Sequence, residues 1–139
     1  MKSRDTLIRL RKFQVDEKRR RAAQIESMIA EFERMTADLD REIKSEQEKV
    51  GISDPAHFAY PTYAKAAKQR RENLQRSADD LRVQLDAAKG ELAEAFEELK
   101  KVELLNERDQ ANERAEQNAL EQRELDSIGI MRIRDAVRA

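Results

Sequence analysis

Apolar residues recur along this chain at intervals of three and four. Ile25, Met28, Ile29, Phe32, Met35, Leu39, Ile43 and Val50 fall on one stripe of a helix. Upstream the stripe continues through Ala22, Val15 and Ile8, with Lys18 and Arg11 interrupting it. The spacing predicts a first helix from about residue 6 to about residue 49, a span without Gly or Pro. A second series, Leu74, Ala78, Leu81, Leu85, Ala88, Leu92, Ala95, Leu99 and Val102, alternates steps of four and three without a break. That is a heptad seam, the signature of a coiled coil. Gly90 lies off the seam and weakens the helix by about 1 kcal/mol relative to Ala.

The stretch "VGISDP" separates the two series. Gly51 suits the left-handed conformation at a helix C-terminus, and Pro55 stops continuation. Asp54 suits an N-cap with Pro55 at the first helical position. Pro61 removes a donor and forces a second start, so "DPAHFAY" is expected to form a short helical turn. The break therefore covers residues 50–57, and the second helix runs from about 58 to about 127. Gly129 is expected to end it, leaving a tail at 128–139. A short break between two helices favours antiparallel neighbours. The fold class expected is all-α: a single helical-hairpin domain over residues 1–139, a long antiparallel two-helix coiled coil whose second helix is the longer.

Charge supports that pairing. Residues 1–21 carry nine Lys/Arg against three Asp/Glu, while residues 87–107, expected opposite, carry three against six. Residues 22–50 carry four against eight, and residues 58–86 carry six against four. In this register residue 50 faces about 58 and residue 22 about 86. After Leu105 the seam positions turn polar, at Asn106, Asp109, Glu113 and Glu116, and nothing in the first helix is expected to pair with them.

Composition narrows the function. Of 139 residues, 41% are charged and 4% aromatic, which suits long helices better than a globular core. The net charge of −1 gives no global bias toward nucleic acid or acidic membranes. There is no cysteine, hence no thiol chemistry. "MKSRDTLIRLRKF" has no apolar core of a secretory signal, and no run approaches the ~20 apolar residues that span a bilayer. His57 is the only histidine, without clustered ligands for a metal. No nucleophile–base pair or phosphate loop is present, so the expectation is a non-enzyme without cofactor or metal.

"KRRR" at 18–21 invites a nucleic-acid or membrane-surface reading, but successive positions wind around a helix and face an acidic segment, so a solvated, paired face is preferred. The stretch "SDPAHFAYPTYAKAAKQRR" gathers both prolines, both tyrosines and the histidine. Tyr60 and Tyr63 have two uses open to them: plugging the hairpin end against Val50 and Ile52, or touching a partner.

Three segments carry a resemblance to a known family: "LIRLRKFQVDEKRRR", "FAYPTYAKAAKQRRENLQRSADDLRVQL" and "FEELKKVELLNERDQANERAEQNALEQRELDSIG". The chain resembles the FliJ family of flagellar type III export proteins over nearly its whole length. The resemblance implies an antiparallel two-helix coiled coil similar in shape to the central stalk subunit of rotary ATPases. It further implies a cytoplasmic protein, peripheral to the inner membrane at the flagellar base. Its implied partners are the hexameric export ATPase, the cytoplasmic domain of the export gate and other export chaperones. Gate contact is expected near Tyr60, Tyr63, Ala67 and Arg70, where this chain has Pro61 between the tyrosines. Contact with the ATPase ring is expected through the terminal segments, at Arg11, Lys12, Arg108 and Arg114. The function implied is a stalk linking ring and gate. The alternatives are a chaperone or adaptor that escorts substrates without entering the ring, and a coiled-coil rod on nucleic acid or a membrane surface.

Overall fold

A computed structural model describes residues 2–52 and 60–138, with side chains described for 3–49 and 60–138. Every described residue is α-helical. Helix α1 is Lys2–Ile52, with 51 residues, and α2 is Tyr60–Arg138, with 79. They pack as a hairpin, the second helix the longer. The expected N-cap at Asp54, the start at Pro55 and His57 lie outside the described residues.

Both helices overrun the expected ends. α1 continues through Gly51 to Ile52. α2 passes straight through Gly129 instead of stopping there. The described glycines have no positive φ, no proline follows Gly129, and residues 130–138 continue the helical pattern. A glycine ends a helix only when the chain turns left-handed at it; here it does not. Pro61 occupies the second position of α2, where its missing N–H costs no hydrogen bond.

The chain divides into two compact units, one of Phe13–Phe96 and one of Met1–Lys12 with Glu97–Ala139. In the first, Ala22, Ile25 and Ile29 of α1 meet Leu81 and Ala88 of α2, with Phe32 and Leu85 packed against them. Val15, Leu39, Ala67 and Ala78 are also buried. Burying each large aliphatic side chain contributes about 1.5–3 kcal/mol, so this seam supplies the main stabilisation of the pair. Small alanines among the leucines of α2 let the two backbones approach.

The α1 stripe differs from expectation at two positions. Met28 and Met35 remain 44% and 42% exposed, while Lys18 and Thr36 are half-buried on the seam. Burial follows a strict heptad through 15, 18, 22, 25, 29, 32, 36, 39 and 43. The methionines stand one residue ahead of their seam positions and so lie on a flank. Thr36 satisfies its hydroxyl by donating to the Phe32 carbonyl at 3.0 Å. Lys18 keeps its stem on the seam and reaches Glu91 at 3.0 Å.

Cross-helix ion pairs fix the antiparallel register within this unit. Arg82 meets Glu33 at 2.7 Å, Arg71 meets Asp40 at 2.5 Å, and Lys89 lies 3.9 Å from Glu26. Arg19 adds a guanidinium 5.5 Å from the Phe96 ring centre. Each exposed pair contributes little energy, about 0–1 kcal/mol, but together they favour one alignment over its neighbours.

The unit holding both termini has a different seam. Arg4, only 18% exposed, contacts Asp109 at 3.2 Å and Glu113 at 2.6 Å. The polar seam positions after Leu105 therefore do have a partner in α1, because α1 begins at Lys2 and brings Arg4 opposite them. Among the described residues this unit has no apolar side chain in the fully buried class. Leu99, Val102 and Ile8 are half-buried. Past Glu113 no described α1 residue pairs with α2, and from 114 to 138 every position except Gly129 is exposed. That arm extends roughly 37 Å at ~1.5 Å per residue.

Candidate partner-binding surfaces

At the start of α2, the Tyr60 and Tyr63 rings lie 6.5 Å apart, tilted by 38°. Both are half-buried. They stand three positions apart along the helix, so they share a face. The Tyr63 hydroxyl is shielded from solvent and has no hydrogen-bond partner. Burial raises its pKa above the usual 10, and the carboxylates of Glu42 and Glu46, with Tyr60, push the same way; Arg70 opposes them. Leu39, Glu42, Tyr63, Ala66, Ala67 and Arg70 line a small hollow of about 150 Å³.

The four residues expected at the gate contact are therefore neighbours on one side of α2, but they differ in access. Arg70 is exposed, the tyrosines are half-exposed, and Ala67 is 5% exposed. Ala67 packs within the seam, while Tyr63 and Arg70 form the projecting edge of the hollow. The surroundings of the tyrosines on α1 are acidic, through Glu42 and Glu46. Val50 and Ile52, named for the plug reading, lie outside the described side chains.

Arg11, Lys12, Arg108 and Arg114 all belong to the unit containing the termini. Arg11 is half-buried, and the other three are exposed. Among the described residues, Lys12, Arg108 and Arg114 take part in no ion pair, so their charge is available to another molecule.

"KRRR" is partly neutralised within its own unit. Lys18 pairs with Glu91, and Arg19 lies 3.6 Å from Asp16 and over Phe96. Arg20 and Arg21 border an open surface hollow with Phe13, Glu17 and Gln24. The described residues contain no group of three or more His, Cys, Asp or Glu placed to hold a metal. No described helix is long and apolar enough to cross a membrane.

Two features had no counterpart in the sequence reading. One is Arg4 as the cation of the polar seam. The other is the exposure of Leu104 and Leu105, at 55% and 56%; Leu7 and Leu10, whose apolar face suits core packing in the sequence, are exposed too, at 39% and 48%. Their signal was a periodicity of apolar residues off the main seam, which becomes meaningful only with the register known.

Neither the curated proteins nor the solved structures searched gave a match to the chain. A family model, flagellar FliJ protein, matches residues 1–138. Paired helices, a polar terminal seam and a match over the whole hairpin agree: the chain belongs to the flagellar FliJ protein family, components of flagellar type III protein export.

Proposed function

We propose that this chain is a non-catalytic coiled-coil stalk that links the export ATPase ring to the export gate. The observation that carries this reading is the arm at residues 114–138, a part of α2 with no partner among the described residues of α1 and with exposed side chains. A lone helix of mixed charge gains little from its own solvent-exposed contacts, so it is suited to ordering against another molecule. The free cations Arg108 and Arg114 and the neighbouring Lys12 supply electrostatic contacts to the ring. At the start of α2, the tyrosine pair and Arg70 supply an aromatic and cationic surface to the gate. Such a protein works in the cytoplasm, peripheral to the inner membrane, and is able to receive other export chaperones along the same rod.

Removing residues 114–139 tests the assignment. The truncated chain keeps Arg4 with Asp109 and Glu113, so the hairpin stays paired. It is expected to lose ATPase-ring assembly or stimulation while retaining gate binding. Tyr60→Ala with Tyr63→Ala is expected to show the reverse. Full ring support by the truncated chain would refute the arm's role.

A further inference from the structure

From Arg114 to Arg138 the arm of α2 has no partner among the described residues, and none of its charged side chains forms an ion pair with them. Those charges are divided by position. Residues 114–127 carry two Arg against four Asp/Glu, and residues 128–138 carry three Arg against one Asp. Two such arms laid antiparallel set each basic half on the other's acidic half. Laid parallel, they set like on like.

One stripe of the arm turns that division into single contacts. Asn118, Glu121, Leu125, Ile128, Arg132 and Asp135 recur at steps of three and four, so they share a face. Leu125 lies two residues beyond Arg123, which is in phase with the α1 seam, and so about 200° round the helix; the face points away from the line of α1. Leu125 and Ile128 are 62% and 47% exposed. Glu121 accepts only a 3.5 Å contact from the Gln117 amide of its own helix. In an antiparallel pair centred between Asp126 and Ser127, each Leu125 meets the second copy's Ile128, and each Glu121 meets the second copy's Arg132. Asn118 meets Asp135 in the next layer, and Gln117 meets Arg138 on one flank. On the other flank Ala115 meets Ala136 and Gln122 meets Gly129. A Cβ built on Gly129 meets nothing within 4 Å, so the space beside it is open to a second helix. No layer of this alignment sets like charges together.

We infer that the arm is a self-pairing surface, through which two copies of the chain associate antiparallel over residues 118–135. Leu125 and Ile128 form the buried centre, and Glu121 and Arg132 are the paired charges on either side of it. Two-fold symmetry repeats every contact, so one kind of apolar layer and one kind of ionic layer each occur twice. The order of charge along the arm selects a second copy as the occupant. An anionic bilayer suits an apolar face bordered by cations, and this face carries Glu121 and Asp135. A contact this short gives a weak dimer, with a dissociation constant on the order of 100 µM. The inference does not rest on the ring reading. A ring would compete with the second copy for the same arm, whereas the chain alone tests pairing with no ring present.

Sedimentation equilibrium of the full chain at low salt tests it. Monomer is expected to give way to dimer between about 10 and about 500 µM. Leu125→Ser with Ile128→Ser should leave a monomer throughout that range. Both side chains are exposed in the single chain, so the variant's thermal melt at low concentration should match the parent's. Glu121→Arg alone and Arg132→Glu alone should each weaken dimerisation by about tenfold or more, because each sets like charges together in two layers. Mixing those two variants should restore association, since every new charge then meets its opposite. A chain that stays monomeric at about 500 µM would overturn the inference. So would a dimer indifferent to Leu125 and Ile128, single charge variants that pair as well as the parent, or a mixture that fails to recover. Flotation with anionic vesicles that depends on Leu125 and Ile128, in place of a dimer, would also overturn it.

Discussion

Arg4 on α1 donates through Nη2 to Oε1 of Glu113 on α2 at 2.6 Å. This contact spans 109 positions of sequence and joins the first turns of α1 to the point where α2 becomes unpaired. Its unit has no apolar side chain in the fully buried class among the described residues, so this ionic contact has an unusual share in holding α1 there. Arg4→Ala is expected to cost about 1 kcal/mol of local stability. Amide exchange should rise about fivefold in residues 3–12 and stay unchanged around Ile25 and Ile29. Raised salt should mimic the variant, since exposed ion pairs are screened. Uniform acceleration throughout α1 would show that the terminal segment does not open separately.

Leu81 and Val83 are two residues apart but differ in burial, at 7% and 70%. Leu81→Asp places an unpaired carboxylate in the seam and should cost about 3 kcal/mol or more. Val83→Asp should change stability by no more than about 0.5 kcal/mol. Circular dichroism melts of the pair decide it. Similar curves for the two variants would mean that the seam is placed wrongly.

Gly90 lies within α2, and a Cβ built on it meets nothing within 4 Å. Gly90→Ala should therefore stabilise the hairpin by about 1 kcal/mol through helix propensity alone. Denaturant titration should show a higher midpoint at unchanged slope. A lower midpoint would mean that the backbone at Gly90 departs from helix in solution.

Tyr63 gives a pH prediction. Its folded pKa is raised above the ordinary 10, chiefly by burial and then by Glu42 and Glu46. The neutral phenol is therefore favoured in the folded state. The associated stabilisation is fully present below pH 10 and is lost as pH rises through the folded pKa. Alkaline titration of Tyr60→Phe, read by tyrosinate absorbance, should show the Tyr63 transition above 10. Adding Glu42→Gln and Glu46→Gln should move it back toward that value. No movement would leave burial as the sole cause.

The sequence disclosed the pairing better than its alignment. The uninterrupted heptads from Leu74 onward identified the inner face of α2, and opposite charges correctly set the helices antiparallel. The register was displaced by several residues: Glu33 faces Arg82, where the expected alignment put residue 75. The cause is the position of the break. α1 ends at Ile52 and α2 begins at Tyr60, which moves the centre of the hairpin about two residues toward the C-terminus. Met28 and Met35 were misplaced for a different reason. Methionine is apolar on a seam or on its flank, and hydrophobicity alone does not separate the two. Of the expected contact residues, the tyrosines stood out because aromatics are rare here. Ala67 is buried because it follows the heptad phase of Ala78 and Leu81, a relation that similarity to a family does not convey.

The Arg4, Arg11 and Lys18 seam positions recur at intervals of seven residues, and the carboxylates that meet Arg4 and Lys18 sit on the other helix. Length in such a molecule is quantised. Cutting one or two residues from within α1 alone would rotate the side chains on one side of the cut by about 100° or 200° and carry them off the seam. A workable shortening removes one heptad from α1 and the matching heptad from α2 together. Evolution of this chain's reach can therefore proceed in paired steps of about 10 Å, each a whole repeat in both helices.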